Sequence, residues 1–159
     1  MSVEATEAGD PPGVRFPPPL LYVGGFLIGL GLELAFPIGE LPTVLAVVLG
    51  VAGLLIFLAL DGTAMARFFR AQTSVIPSKP TTAFVTSGPY RFTRNPMYVG
   101  MAFLYAGFAL GFGVFWALAM LPLVLLVVDR VVIPPEERFL DAHFGQAFAD
   151  YRGRVRRWL

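Results

Sequence analysis

Residues 97–128 run for 32 positions without a charged side chain. A second uncharged run, residues 41–60, holds twenty. At about 1.5 Å per helical residue, twenty residues cover the roughly 30 Å hydrocarbon core of a bilayer. In lipid the backbone must satisfy its own hydrogen bonds, so runs of this kind are compatible with helices and with little else. The remaining composition agrees: 56% of the 159 residues are hydrophobic and 14% charged. The charge is gathered into a few segments, where a soluble domain would spread it over its surface.

A third apolar run, residues 20–36, is interrupted only by Glu33. Pro37-Ile38-Gly39-Glu40 then marks a tight turn into 41–60. The 32-residue run is too long for one ordinary span and short for two. Gly111-Phe112-Gly113 is the natural break, giving a hairpin of two short or tilted helices. The expected spans are therefore about 20–36, 41–60, 97–111 and 113–133. Eleven of the twelve basic residues lie in the segments 61–95 and 130–159. The positive-inside rule places both segments in the cytoplasm, which requires an even number of crossings between them. The chain is read as an all-α, multi-pass integral membrane protein with four transmembrane helices and both termini cytoplasmic, in a bacterial cell membrane by default. Residues 1–19, acidic and Pro-rich, read as a disordered cytoplasmic tail, and 20–159 as one domain. Gly25 and Gly29, and Gly107 and Gly111 with Gly100 seven residues before, are expected at close helix contacts.

The C-terminal segment reads as a cytoplasmic amphipathic helix. Pro134-Pro135 precedes Glu136-Glu137, and Leu140, Phe144, Phe148 and Tyr151 form an apolar stripe. Arg152, Arg154, Arg156 and Arg157 then suit anionic lipid head groups. Glu33 is expected near a membrane face, Asp129-Arg130 as an interfacial pair, and His143 facing solvent or head groups. With no cysteine, disulfides, zinc-thiolate sites and a cysteine nucleophile are excluded, and His143 alone cannot build a metal site. Nothing points to nucleic acid.

Polar residues at a membrane are the functional candidates. Pro96 suits the first turn of the third helix with Asn95 as its N-cap, and a helix N-terminus favours an anion. Arg91 and Arg94 add cationic donors there, and Tyr90 and Tyr98 add aromatic faces with hydroxyl ends. Together these make an anionic-ligand site plausible.

The segment Gly88-Pro89-Tyr90-Arg91-Phe92-Thr93-Arg94-Asn95-Pro96-Met97-Tyr98-Val99-Gly100 resembles the signature of the isoprenylcysteine carboxyl methyltransferase and phospholipid methyltransferase superfamily. A second half follows in order: Glu136-Glu137, Leu140, Phe144-Gly145, Phe148, Tyr151 and Arg154-Val155-Arg156-Arg157-Trp158. The resemblance covers roughly residues 77–159. It implies S-adenosylmethionine as cofactor, held between segments 80–100 and 130–159, and a lipophilic methyl acceptor such as an isoprenylcysteine-like carboxylate or a lipid amine. Carried over by position, Thr82, Ala83, Phe84, Val85, Tyr90, Asn95, Pro96, Met97, Tyr98 and Glu136 fall at cofactor positions. Asn95 stands where most relatives carry His. An arginine is usual one turn before the acid; Val132 stands there, and Arg130 is the nearest. Asn95 and Arg130 are the catalytic candidates on this resemblance. The alternatives are a sterol-reductase-like protein, which the short chain disfavours, and a non-catalytic membrane module.

Overall fold

A computed structural model describes residues 17–71 and 84–159. Among these every regular element is helical: α1 (Pro18–Ala35), α2 (Thr43–Arg70), α3 (Pro96–Gly111), α4 (Phe115–Val127), α5 (Ile133–Phe144) and α6 (Gln146–Arg154). A short 3-10 turn, Gly88–Arg91, precedes α3, and a π-helical turn, Val128–Val132, joins α4 to α5. Three stretches are long and apolar enough to cross a membrane: α1, α2 and the continuous helical run Phe115–Phe144. The fourth apolar helix, α3, is shorter.

The helices pair as α2 with α3 and α1 with α4, and small residues set both contacts. A Cβ on Gly53 would meet Phe103 O at 2.5 Å and Gly107 Cα at 2.7 Å; Gly50 faces Gly111. On the other pair, a Cβ on Gly29 would strike the Ala117 backbone, and one on Gly25 would strike Val124. Each expected glycine pair is therefore at a close contact, as helix association in lipid demands, because packing replaces the hydrophobic drive there. Tyr22, Tyr105, Ala109, Ala117, Val124 and Val128 form the core between α1, α3 and α4. The outward face of α2, including Val44, Val47, Val48, Val51, Leu55 and Leu58, is exposed. That face suits lipid.

The α3–α4 turn falls at Phe112-Gly113-Val114, where Gly113 adopts φ +68°. This is the break expected from sequence. Glu33 closes the same end of the molecule: its two carboxylate oxygens accept from Ile38 N (2.9 Å) and Trp116 N (3.0 Å). It thereby satisfies free N–H groups in the first turn of α4. The Trp116 indole adds a bond to Phe36 O (2.7 Å).

Three boundaries differ from expectation. Pro18 and Pro19 open α1 instead of belonging to a tail, since proline suits the first helical turn; residues 1–16 lie outside the described residues. The second helix continues ten residues past Leu60 to Arg70. Asp61 and Thr63 do not break it, because the Thr63 hydroxyl turns back to the carbonyls of Ala59 and Leu60. The C-terminal helix is two helices, broken at Gly145 (φ +46°). Its apolar stripe packs inward: Phe148 and Tyr151 are buried, and Phe144 stacks on Phe84 at 5.1 Å.

Two consecutive prolines explain the π turn. Pro134 and Pro135 carry no N–H, so the carbonyls of Arg130 and Val131 lose their usual helical donors. Ile133 N instead reaches back to Val128 O, one residue further than in an α-helix. The extra residue re-aims everything after it, including Glu136 and Glu137.

Candidate functional site

The site grows from the N-terminus of α3. Pro96 is buried in its first turn, where the missing N–H costs nothing. Tyr98, in the same first turn, donates its hydroxyl to Glu136 Oε1 at 2.6 Å. From the opposite side the Tyr22 hydroxyl donates to the Tyr98 carbonyl at 2.9 Å, tying α1 to this turn. Glu136 comes from the first turn of α5, as aimed by the π turn. A short charge-assisted bond fixes the carboxylate in one orientation.

Tyr90 precedes α3 in the 3-10 turn. The 3-10 turn that carries it needs Gly88 at φ +67°, and its ring stands edge-on to Phe68 of α2 at 5.7 Å. Its carbonyl accepts from the Tyr151 hydroxyl at 2.7 Å. Burial holds the Tyr90 phenol above its ordinary value, with Tyr151, Asp61 and Glu136 adding to the effect. Burial likewise pushes Tyr151 up to about 12, with Arg94 pulling the other way. Phe84 sits in an aromatic cage, stacked on Phe144 and edge-on to Phe148 and Tyr151.

The C-terminal strap is clamped to the segment ahead of α3. Thr93 pairs with Arg156 as an isolated parallel bridge, with Arg94 N donating to Arg156 O at 2.8 Å. The Thr93 hydroxyl and Asn95 Nδ2 both donate to Arg157 O at 3.0 Å. Glu137 lies between two guanidiniums, Arg94 at 2.8 Å and Arg157 at 2.6 Å. Arg157 also reaches Asp129 at 3.2 Å, and the Trp158 indole donates to the same carboxylate at 2.9 Å. These bonds raise the Arg157 guanidinium above its ordinary value, chiefly through Glu137.

The structure joins Tyr98 to Glu136, with Pro96 and Met97 in the same first turn of α3 and Tyr90 in the 3-10 turn before it. Phe84 is close by in the aromatic cage, and Val85 follows it half-buried. Thr82 and Ala83 lie outside the described residues. Arg130 is not part of the group. Its side chain is 74% exposed and pairs only with Asp129, at 3.3 Å, among the described residues. Asn95 occupies the N-cap position, but its side chain makes no cap bond. It holds Arg157 O, while Asn95 N donates to the Thr93 hydroxyl at 3.1 Å. Arg94, expected as a donor to an anionic ligand, is engaged by Glu137 and by the carbonyls of Arg152 and Val155. Arg91 is exposed, as is His143, whose ring lies 4.1 Å from that of Phe139.

Three polar side chains escaped the sequence reading. Glu137 was adjacent to the named acid, but its pairing with Arg94 spans 43 residues and leaves no local signal. Tyr22 sat in an ordinary apolar run. Asp61 stood where an uncharged run ends and so looked like the first residue of a loop.

Fold and sequence together define an integral membrane protein whose regular elements, among the described residues, are all helical, with a Tyr98–Glu136 pair at the N-terminus of α3. Residues 45–147 match the model of the phospholipid methyltransferase family, and the chain belongs to that family. The matched region runs from α2 into α6 and includes Asp61, Tyr90, Asn95, Tyr98 and Glu136. No curated protein and no solved structure matches the chain.

Proposed function

We propose that this protein is an S-adenosylmethionine-dependent methyltransferase acting on a lipophilic acceptor at the cytoplasmic face of its membrane. The observation that carries this is the Glu136 carboxylate, fixed by Tyr98 at the N-terminus of α3, in a chain of the phospholipid methyltransferase family. The topology we favour has four crossings, with the segments before α3 and after α4 both cytoplasmic. Arg91, Arg138, Arg152, Arg154 and Arg156 are exposed there, where anionic head groups would meet them.

The residues present fit the cofactor. Glu136 suits its ammonium or its ribose diol, and Tyr90, Tyr98 and the cage around Phe84 offer aromatic surface to adenine. The carboxylate would meet the N-terminal N–H groups of α3. Asn95 and Arg94 act through the strap they hold, which positions Glu137 and its neighbour Glu136. Arg130, outside this group, would meet an acceptor head group at the membrane surface. When bound, S-adenosylmethionine supplies an electrophilic methyl that passes in line to an oxygen or nitrogen lone pair of the acceptor, leaving a neutral thioether. The protein's work is then alignment of the two reactants and exclusion of water, and no protein nucleophile is needed. An acceptor carboxylate and a lipid amine both satisfy that chemistry.

The competing reading, a non-catalytic membrane module of the same family, draws on the engagement of Asn95 and Arg94 in holding the C-terminal strap. Calorimetry of S-adenosylmethionine with detergent-purified protein decides between them. Binding in the micromolar range that is lost in Glu136→Ala, with the melting temperature kept, is the expected result. A folded wild-type protein that binds no S-adenosylmethionine would overturn the proposal in favour of the non-catalytic module.

A further inference from the structure

Asp61 is the outstanding polar group outside the described site. It lies well inside α2, on the face that packs against α3. Opposite it is Gly100, and a Cβ at position 100 would collide with Asp61 Oδ2. The carboxylate therefore fills the space that any larger residue at 100 would take. Gly50 and Gly53 contact α3 through backbone alone, but at Gly100 the seam holds a carboxylate.

Asp61 Oδ2 is buried and meets no hydrogen-bond donor among the described residues. No ion pair of the described residues involves Asp61. The nearest cation of its own helix beyond it, Arg67, lies against Gly88. An unpaired carboxylate oxygen in an apolar helix contact is costly to keep. Such groups in membrane helices are characteristically functional. Oδ2 itself is buried, while Asp61 as a whole keeps partial exposure. Gly100 lies two residues past Tyr98 in α3, so Asp61 approaches the same helical turn that holds Tyr98 to Glu136. Tyrosine faces themselves attract cations.

We infer that Asp61 is a ligand-binding residue of the methyl-transfer site, taking an onium cation, an ammonium or a sulfonium, against the Gly100 notch. The inference rests on the proposed methyltransferase function and adds a second anionic contact to that of Glu136. The cation can come from the cofactor, which carries both kinds, or from an acceptor amine.

The test compares wild type, Asp61→Asn and Gly100→Ala in detergent, with S-adenosylmethionine and S-adenosylhomocysteine as calorimetric ligands. A third arm follows methyl transfer into phosphatidylethanolamine vesicles. Asp61→Asn keeps the shape and removes the charge, so the ligand-free protein should melt no lower than wild type. Losing one charge contact should weaken binding by about tenfold or more. A loss confined to S-adenosylmethionine assigns the sulfonium, and an equal loss for both ligands assigns the cofactor's ammonium. Unchanged affinities with lost transfer to phosphatidylethanolamine assign the acceptor's ammonium. Gly100→Ala, which displaces the carboxylate without removing it, should move the same readout in the same direction. If wild type binds S-adenosylmethionine and Asp61→Asn alters neither affinity nor transfer, this inference falls and the proposed function stands. An Asp61→Asn protein that melts several degrees lower without ligand would show a structural role and overturn it too. A folded wild type that binds neither ligand would overturn both.

Discussion

Replacing Glu137 with alanine removes one carboxylate from between two guanidiniums. Glu137 accepts from Arg94 at 2.8 and 3.2 Å and from Arg157 at 2.6 and 3.3 Å. Its side chain is 14% exposed, that of Arg94 12% and that of Arg157 33%. Breaking a buried pair from one side costs about 3–5 kcal/mol, because the surviving charge stays buried. Arg94 is that survivor. Arg157 is a third exposed and keeps Asp129, so water and Asp129 offset part of its loss. The lower end, about 3 kcal/mol, is the expected cost. For a chain of this size that corresponds to a fall of roughly 6–12 °C in melting temperature. Thermal unfolding in detergent followed by tryptophan fluorescence reports it directly, since Trp158 sits on the strap beside the clamp. Arg130→Ala is the control. Its ion pair is exposed on the arginine side and should cost no more than about 1 kcal/mol. Raising salt should leave the Glu137 effect largely intact and erase that of Arg130. A Glu137→Ala protein melting within a degree of wild type, or one no worse than Arg130→Ala, would refute the clamp argument.

Two further predictions concern packing and pH. Gly53→Ala should cost about 1–3 kcal/mol by overpacking the α2–α3 seam, whereas Gly24→Ala, with nothing within 4 Å of the new Cβ, should be neutral or slightly stabilising; equal melting temperatures would refute the close approach. Tyr90 and Tyr151 stay protonated in the folded protein above the ordinary tyrosine value, Tyr151 up to about 12. The unfolded chain therefore loses those protons first, and stability should be intact below pH 10 and fall as pH rises from 10 to 12. Tyr151→Phe should flatten that fall in melting temperature against pH, and an unchanged slope would exclude Tyr151 as a source.

Much of the helix framework was legible because its cause is local. An uncharged run in lipid must bond its own backbone, so residues 41–60 and 97–128 declare helices without reference to any other part of the chain. The same holds for the α3–α4 turn, where glycine at 113 permits a left-handed residue, and for the small residues that let helices approach. The acid at 136 and the tyrosines at 90 and 98 were named through their place in a motif, and the fold bonds Tyr98 to Glu136. Local signals were silent where a residue's contacts depend on a distant partner. Asp61 read as the start of a loop because charge usually ends a span, yet α2 carries it into a contact with Gly100. Asn95 read as a cofactor and catalytic position through the motif, and Arg94 as a ligand donor because it stands by a helix N-terminus. Only the folded chain shows them holding the strap, across separations of 62 and 43 residues. Hydrophobicity and backbone hydrogen bonding act within one helix and are written in consecutive residues. The pairing of buried charges is settled by which helices pack together, and that is a property of the whole bundle.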